Sequence, residues 1–276
     1  LVQINGFLDL PQSFPQSTTL NEALGINANV TPTSNEKNSL KCWVIGSKGL
    51  QGDLGTDGQL LLTPIAHRAT DANLYDLLPF VLRLATNDLT VNQRAKYCLR
   101  KELLINNLAY IAYYGRRIDY TGVTASMSLV TVTNGVETVT PFQPDVSNLE
   151  PQPPTTSNTN TNVIDGKFAR ATARIKIGMT ADEALEFRNA CMILRGSERY
   201  AMISEIGLCT GVNRTIQSVD GSTGNQITMN EMIGVQIASH VPALNAVAFN
   251  NNGFETSLDV GVREPLYNVT VVSSNP

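Results

Sequence analysis

Apolar and polar positions alternate most regularly at the start of the second half of the chain. Small and branched apolar residues take every second position from 169 to 177, namely Ala169, Ala171, Ala173, Ile175 and Ile177. Polar or basic residues fill the places between them. Because a period of two places neighbouring side chains on opposite faces of a strand, the pattern predicts a β-strand with one buried face.

A helix is predicted directly after this strand. Thr180 and Glu183 have the spacing of a capping box, in which two side chains satisfy backbone amides at a helix start. The apolar positions that follow with helical spacing are Ala184, Phe187, Cys191 and Leu194. We therefore expect an amphipathic helix over about 181–195.

Further strands are predicted on both sides of this region. Asn134-Gly135 between two alternating segments is typical of a tight hairpin. Alternation also predicts strands within 233–241, 258–262 and 266–272. Apolar residues occupy both phases from 200 to 209, a pattern that fits an interior strand and a buried helix equally.

The first half contains two stretches of helical spacing. They cover 71–84 and 91–108, with Thr90 suited to an N-cap and Pro79 expected to kink or split the first helix. We expect a helical insertion over about 71–108. Upstream, the glycines at every third position from Gly46 to Gly58 lack the length of a collagen repeat and the ending of a phosphate-binding loop, so they predict a mobile loop.

A proline-rich segment that becomes Thr/Asn-rich divides the chain. Neither a helix nor an inner strand is sustainable there. The expected organisation is an N-terminal β-rich half over 1–143, a loop or linker over 144–162 and a C-terminal β-rich half over 163–276. The expected fold class is mainly β with inserted helices, as two jelly-roll-like β-sandwich halves; the alternative is an α+β fold.

The composition favours a protein that assembles with other subunits over one that stays monomeric. Hydrophobic residues make up 42% of the 276 residues, enough to form a core without disulfides or a metal. Charged residues make up 16%, against about 25% in ordinary soluble domains. A surface with few charges can be buried against another subunit at modest desolvation cost. The alternative is an ordinary protein with Asn/Thr-rich loops.

The net charge of −4 does not favour nucleic-acid binding by the whole chain. One strand nevertheless carries the basic residues Lys167, Arg170, Arg174 and Lys176. Such a row would meet phosphates of a genome or lipid headgroups, although a solvated face or an acidic subunit partner is the better-supported interpretation. No run approaches the ~20 apolar residues of a membrane helix, so a soluble chain is expected.

No catalytic, cofactor or metal site is predicted. The cysteines Cys42, Cys98, Cys191 and Cys209 form no CxxC pair, and His67 and His240 are the only histidines. Buried, reduced thiols and folding inside a cell are expected. No hydrolase, metalloprotease or phosphate-loop motif includes either histidine. The carboxylates of Asp182, Glu183 and Glu186 are close enough for glycosidase chemistry, but helix capping and solvation explain them better.

The chain resembles bacteriophage structural proteins and, more narrowly, double jelly-roll major capsid proteins. The resemblance lies in the low charge and in the two β-rich halves with their Pro/Thr/Asn loop. The local sequence of 169–212 is also similar, including Ile203-Ser-Glu-Ile-Gly-Leu-Cys-Thr-Gly-Val212. It implies a building block that folds in the host cytoplasm, forms trimers and tiles a virion shell. Its partners would be copies of itself, other virion proteins and an internal membrane or genome.

Two other classes of function stay open. A receptor- or glycan-binding module of a phage tail or adhesin predicts a shallow site lined by Trp43, Tyr113 or Tyr114. A carbohydrate-active hydrolase predicts turnover that depends on Glu183, Glu186 or Glu205.

Overall fold

Segments with apolar residues at alternate positions build two antiparallel sheets and a separate two-stranded hairpin. The computed structural model describes residues 18–33, 35–36, 38–68, 71–143, 145, 155–156, 163–219, 224–249 and 252–265. No helix in these ranges combines the length and the apolar character needed to cross a membrane.

The elements of the first half are mostly strands. They are α1 (Leu20–Leu24), β1 (Ser39–Gly46), β2 (Leu50–Leu54), β3 (Leu60–Pro64), β4 (Leu77–Leu78), β5 (Val81–Leu84), a 3-10 turn (Ala85–Asn87), α2 (Val91–Arg94), β6 (Tyr97–Ile105), β7 (Leu108–Arg117), β8 (Ala125–Thr133) and β9 (Val136–Pro141).

The second half has fewer and longer strands. Its elements are β10 (Thr155–Thr156), β11 (Val163–Met179), α3 (Ala181–Arg195), a 3-10 turn (Glu198–Tyr200), β12 (Met202–Val219), β13 (Gln226–Ala246), a 3-10 turn (Val247–Phe249) and β14 (Phe254–Pro265).

The described residues fall into two compact units, each assembled from non-contiguous stretches. The larger unit contains 18–119 and 176–256, and the smaller unit contains 120–175 and 257–265. The chain passes from one unit to the other within β11 and again within β14. The units are therefore not the halves expected from the proline-rich segment, because strands from both sides of that segment pair in one sheet.

Seven of the described strands form the sheet of the larger unit. Its order is β13-β12-β1-β7-β5, with β4 paired to β1 and β6 paired to β7. Strand β1 reads Leu-Lys-Cys-Trp-Val-Ile from 40 to 45 and is buried along nearly its whole length, as its apolar run requires. Helix α3 packs against β5 and α1 packs against β13, which closes an apolar core around Val44, Leu82 and Ile237.

The smaller unit is built on a second antiparallel sheet. Its order is β10-β11-β8-β9, with β14 on β11. Val130, Val132 and Phe168 form a small buried cluster there. The hairpin expected at Asn134-Gly135 is confirmed, since both residues have positive φ (51° and 77°) and Thr133 pairs with Val136. These are the backbone angles that a two-residue type I′ turn requires.

The expectation of a mainly β chain with inserted helices is confirmed. The strand over 169–177 lies within β11, with its five apolar side chains at most 9% exposed. The helix over 181–195 is α3, and both hydrogen bonds of its capping box are present. The ambiguous segment 200–209 lies mostly in strand β12.

The expected helical insertion over 71–108 is wrong. This region forms β4, β5, β6 and the start of β7, and its only α-helix among the described residues is the short α2 behind Thr90. Residues 97–100 are all buried, with Tyr97 and Leu99 on one face of β6 and Cys98 and Arg100 on the other. A strand buried on both faces offers apolar residues at i, i+3 and i+4 as a helix does, which explains the error.

The glycine-rich segment differs from expectation too, because β2 and β3 form a hairpin where a loop was predicted. The strand expected over 266–272 and most of the linker over 144–162 lie outside the described residues.

Replacing Thr180 with Ala removes the hydroxyl that accepts the Glu183 N–H at the start of α3. We expect a loss of about 1 kcal/mol in the free energy of unfolding, measured by urea denaturation. Thr138→Ala on the exposed strand β9 serves as the control and should change this free energy little. Equal effects of the two substitutions would contradict the capping role.

Candidate functional site

The β2–β3 hairpin, residues 50–64, is the most exposed apolar element of the described chain, and we call it the arm. Within the described residues, β2 and β3 pair only with each other. Leu54 pairs with Leu60 and Gly52 pairs with Leu62, so these residues share one face of the hairpin. The leucines at 54, 60 and 62 are 78%, 66% and 42% exposed. The arm thus presents an apolar face that nothing in the described chain covers.

The opposite face of the arm is mostly polar. Gln51 pairs with Thr63, and Asp53 pairs with Leu61. Asp53 and Asp57 are the only charged residues of the arm. The arm is therefore amphipathic and acidic, with the turn around Gly58 at its tip.

Glu205 of β12 holds the base of the arm. Its side chain is 2% exposed. Oε1 accepts hydrogen bonds from the backbone N–H groups of Lys48 (3.3 Å) and Asp76 (3.0 Å). Oε2 accepts one from the N–H of Tyr75 (3.1 Å) and lies 3.0 Å from Nε2 of His67. These polar partners offset the desolvation cost of a buried carboxylate.

The neighbouring residue on β12 adds a second attachment. The hydroxyl of Ser204 accepts a hydrogen bond from the N–H of Gly49 (2.8 Å), and the N–H of Ile65 donates to the carbonyl of Gly49 (2.9 Å). Both chain ends of the arm are thus tied at one place on β12.

Two glycines of the every-third-residue series are explained by this base. A Cβ atom at Gly46 would lie 2.4 Å from Oε1 of Glu205, and one at Gly49 would lie 2.5 Å from the carbonyl oxygen of Ser204. Only glycine lets the backbone approach β12 this closely. These two glycines are therefore required by close packing against β12.

The chain's two histidines meet beside Glu205. The rings of His67 and His240 stack with centroids 3.8 Å apart and an angle of 11°. The ring of Tyr75 stacks on His67 as well, at 4.2 Å, so His67 is sandwiched between two rings. Nδ1 of His67 lies 3.4 Å from Oδ2 of Asp71. We call His67, Asp71, Tyr75, Glu205 and His240 the base cluster.

Both histidines of the base cluster have a buried ring nitrogen without a hydrogen-bond partner, Nδ1 of His67 and Nε2 of His240. Burial and the neighbouring His67 lower the pKa of His240, and together they outweigh the opposing effects of Asp71 and Glu205. His240 is therefore held in its neutral form near pH 7.

A surface pocket of about 380 Å³ opens over the base cluster, lined among others by His67, Arg68, Glu205 and His240. Among the described residues, no group of three His, Cys, Asp or Glu side chains has the arrangement of a metal site. The described contacts of Glu205 and His67 serve to hold backbone segments together.

The basic strand contacts acidic residues of the same chain. The guanidinium of Arg174 donates two hydrogen bonds to Asp259 of β14, at 2.7 and 2.9 Å, and Nζ of Lys176 lies 2.9 Å from Glu255. Both pairs are exposed. Acidic residues of the same chain therefore pair with these two positions, while contact with phosphate or with an acidic subunit partner stays a prediction.

The other two basic residues do not share one face. The register of β11 with β8 is continuous from Gly166 to Ala173, so Lys167 points to the side opposite Arg170. Nε of Arg170 lies 3.4 Å from the hydroxyl of Ser128. The prediction that all four cations form one row is wrong for Lys167, because its odd position places it with Ala169.

The helix carboxylates serve structure. Glu183 closes the capping box with Thr180 and pairs with Arg116 and Lys96. Burial would raise the pKa of Glu183, but the Thr180 amide and Arg116 outweigh it and leave the pKa below its usual value. Glu186 is paired with Arg83 rather than only solvated. Asp182, on the exposed first turn, complements the helix dipole as expected.

The expected glycan site is not available at the predicted residues. Trp43, Tyr113 and Tyr114 are 1%, 0% and 7% exposed, because β1 and β7 lie inside the large sheet. The cysteines are buried free thiols as expected, and burial raises the pKa of Cys191 to about 12.

Residues 1–274 match a family of unknown function, DUF7208. The chain belongs to this family. No curated protein matches the chain, and no solved structure matches it either.

Sequence reasoning missed the base cluster because its members are far apart in the chain. His67 and His240 are separated by more than half of the sequence, and only the pairing of β1, β12 and β13 brings them together. One signal was present. Glu205 is a single charge inside the apolar run 201–209, and such a carboxylate is expected to have buried partners.

Substituting Glu205 with Gln should destabilise the larger unit. A carboxamide supplies one acceptor oxygen in place of two, so its NH₂ group faces backbone N–H donors. We expect a loss of about 2 to 3 kcal/mol in the free energy of unfolding, measured by urea denaturation.

The control for this experiment is Glu255→Gln, which removes a carboxylate that is 65% exposed in its pair with Lys176. It should leave the unfolding midpoint nearly unchanged. A Glu205→Gln variant as stable as this control would show that the buried carboxylate does not hold the base.

Proposed function

We propose that the protein is a self-assembling structural building block of a bacteriophage capsid, and that the arm is the element by which one copy contacts the next. Work of this kind is mechanical and needs no catalytic residue. In this proposal the protein folds in the host cytoplasm and is then located in the virion, among copies of itself and other virion proteins.

The uncovered apolar face of the arm carries the proposal. Full burial of a leucine side chain contributes about 1.5 to 3 kcal/mol. Three exposed leucines on one face therefore leave several kcal/mol of hydrophobic stabilisation unrealised in a single chain. A two-stranded hairpin on its own is also only marginally stable in water. Both considerations favour an arm that is covered by a partner.

A second copy is the partner that the chain itself supplies. The outer face of α3 exposes Leu185 and Met192, and Phe249 on the adjacent 3-10 turn is 81% exposed. A contact between two different surfaces of identical chains is heterologous and generates rings when the rotation closes, as a trimeric capsomer requires.

The low charge of the whole chain reduces the desolvation cost of burying such a contact. The sequence resembles double jelly-roll capsid proteins in its low charge and many strand-forming segments, and this resemblance is the reason for proposing a shell as the assembly.

The test replaces Leu54, Leu60 and Leu62 with Ser in one variant. We expect the wild-type protein to form oligomers in size-exclusion chromatography with light scattering, with trimers as the leading species. The triple variant should elute as a monomer, because the apolar face of its arm is removed. The larger unit of this variant should unfold at nearly the same temperature as in the wild type, because all three leucine side chains are exposed.

A matched control is available on another hairpin. Leu104 and Leu108 near the β6–β7 turn are 74% and 52% exposed, so Leu104→Ser with Leu108→Ser removes two exposed leucines from a different hairpin. This control should still assemble. A wild-type protein that is strictly monomeric at high concentration, or a triple variant that assembles normally, would contradict the proposal.

A further inference from the structure

The base cluster ties the arm down at both ends. Before β2, the amides of Lys48 and Gly49 bind the Glu205 carboxylate and the Ser204 hydroxyl. After β3, His67 contacts the same carboxylate. Release of His67 would leave the Ile65–Gly49 hydrogen bond and the β2–β3 pairing in place, but it would detach the segment that follows the arm from Glu205 at this point. The contact made by His67 therefore contributes to how firmly the base of the arm is held.

His67 is held in place by ring stacking as well as by Glu205. One of its faces is covered by Tyr75, which comes from the same connecting segment, and the other by His240, which belongs to the large sheet. The pair His67–His240 therefore joins the segment after the arm to β13. The two imidazoles are in face-to-face contact at 3.8 Å, so protonation of both rings is unfavourable because their positive charges repel.

The groups around His240 make protonation of its ring unfavourable. It is paired with Gly207 of β12, its Nε2 atom is buried without a partner, and a backbone hydrogen bond joins it to Asn73. The ionisable groups that face it are His67, Asp71 and Glu205, with Arg68 on the wall of the same pocket and Tyr75 behind His67.

We propose that the stacked imidazoles of His67 and His240 form an acid-sensitive latch, which holds the arm base closed near neutral pH and opens when His240 takes up a proton. The role of the latch rests on the proposed function, since opening in acid would loosen the contact between copies. Its opening is a property of the single chain.

The direction of the pH effect follows from proton linkage. The pKa of His240 in the closed base lies below its ordinary value of 6.5, so the open state binds the proton more tightly. The latch is at full strength above about pH 6.5 and weakens as the pH falls below it. One linked proton changes the opening equilibrium by at most about tenfold per pH unit.

Hydrogen exchange measured by mass spectrometry tests the latch at pH 7.5 and at pH 5.5. Peptides covering 48–68 report the arm and its base, and a peptide from α3 in the same digest corrects for the intrinsic pH dependence of exchange. In the wild type we expect corrected exchange in 48–68 to rise severalfold at the lower pH. The α3 peptide should show no such rise.

His240→Phe keeps an aromatic ring against His67 and removes the titrating group. In this variant the exchange of 48–68 should be the same at both pH values; His240→Gln is the second variant should the phenylalanine protein fold poorly. Wild-type exchange that does not depend on pH, or variants that retain the full wild-type dependence, would overturn the latch.

The same measurement on the Leu54, Leu60 and Leu62 triple variant separates the two proposals. Acid-induced opening in this monomeric variant supports the latch independently of assembly. A monomeric wild-type protein with a working latch would refute the proposed function alone, whereas an assembling protein without pH-dependent exchange would refute the latch alone.

Discussion

The carboxylate of Glu205 is the contact on which the arrangement of the arm depends. A buried anion is costly unless backbone or side-chain donors surround it, and here the donors come from the segments before and after the arm. Because an unpaired carboxylate at this buried position would be unfavourable, both segments are held close to Glu205 on β12. Gly46 and Gly49 permit that approach, since a Cβ atom at either position would collide with β12.

This anchoring explains how the arm can be exposed and still ordered. A hairpin outside both sheets has few tertiary contacts of its own, so its position is set at its base. From that base, the leucines at 54, 60 and 62 face outward on a single side. The polar contacts at the base and the exposed apolar face are thus at different places along the arm.

Patterns among residues that are close in the sequence were sufficient to predict part of the fold. The strand around Ala171, the Asn134-Gly135 hairpin and the helix behind Thr180 each follow from local periodicity or capping and were predicted correctly. The helix predicted over 91–108 is wrong for most of its length, because the start of β6 is buried on both faces and lacks the alternation typical of a strand. The base cluster could not be predicted, since the meeting of His67 and His240 depends on strand pairing across the whole chain.

Photo-crosslinking measures most directly the proposed contact between the apolar face of the arm and a second copy. A benzoylphenylalanine at position 60 lies on this face, opposite Leu54. Irradiation of the assembled protein should give covalent dimers, and mass spectrometry should locate the crosslink between the arm of one chain and the α3 region of another. Assembled protein that gives only crosslinks within one chain, or none from position 60, would contradict the account.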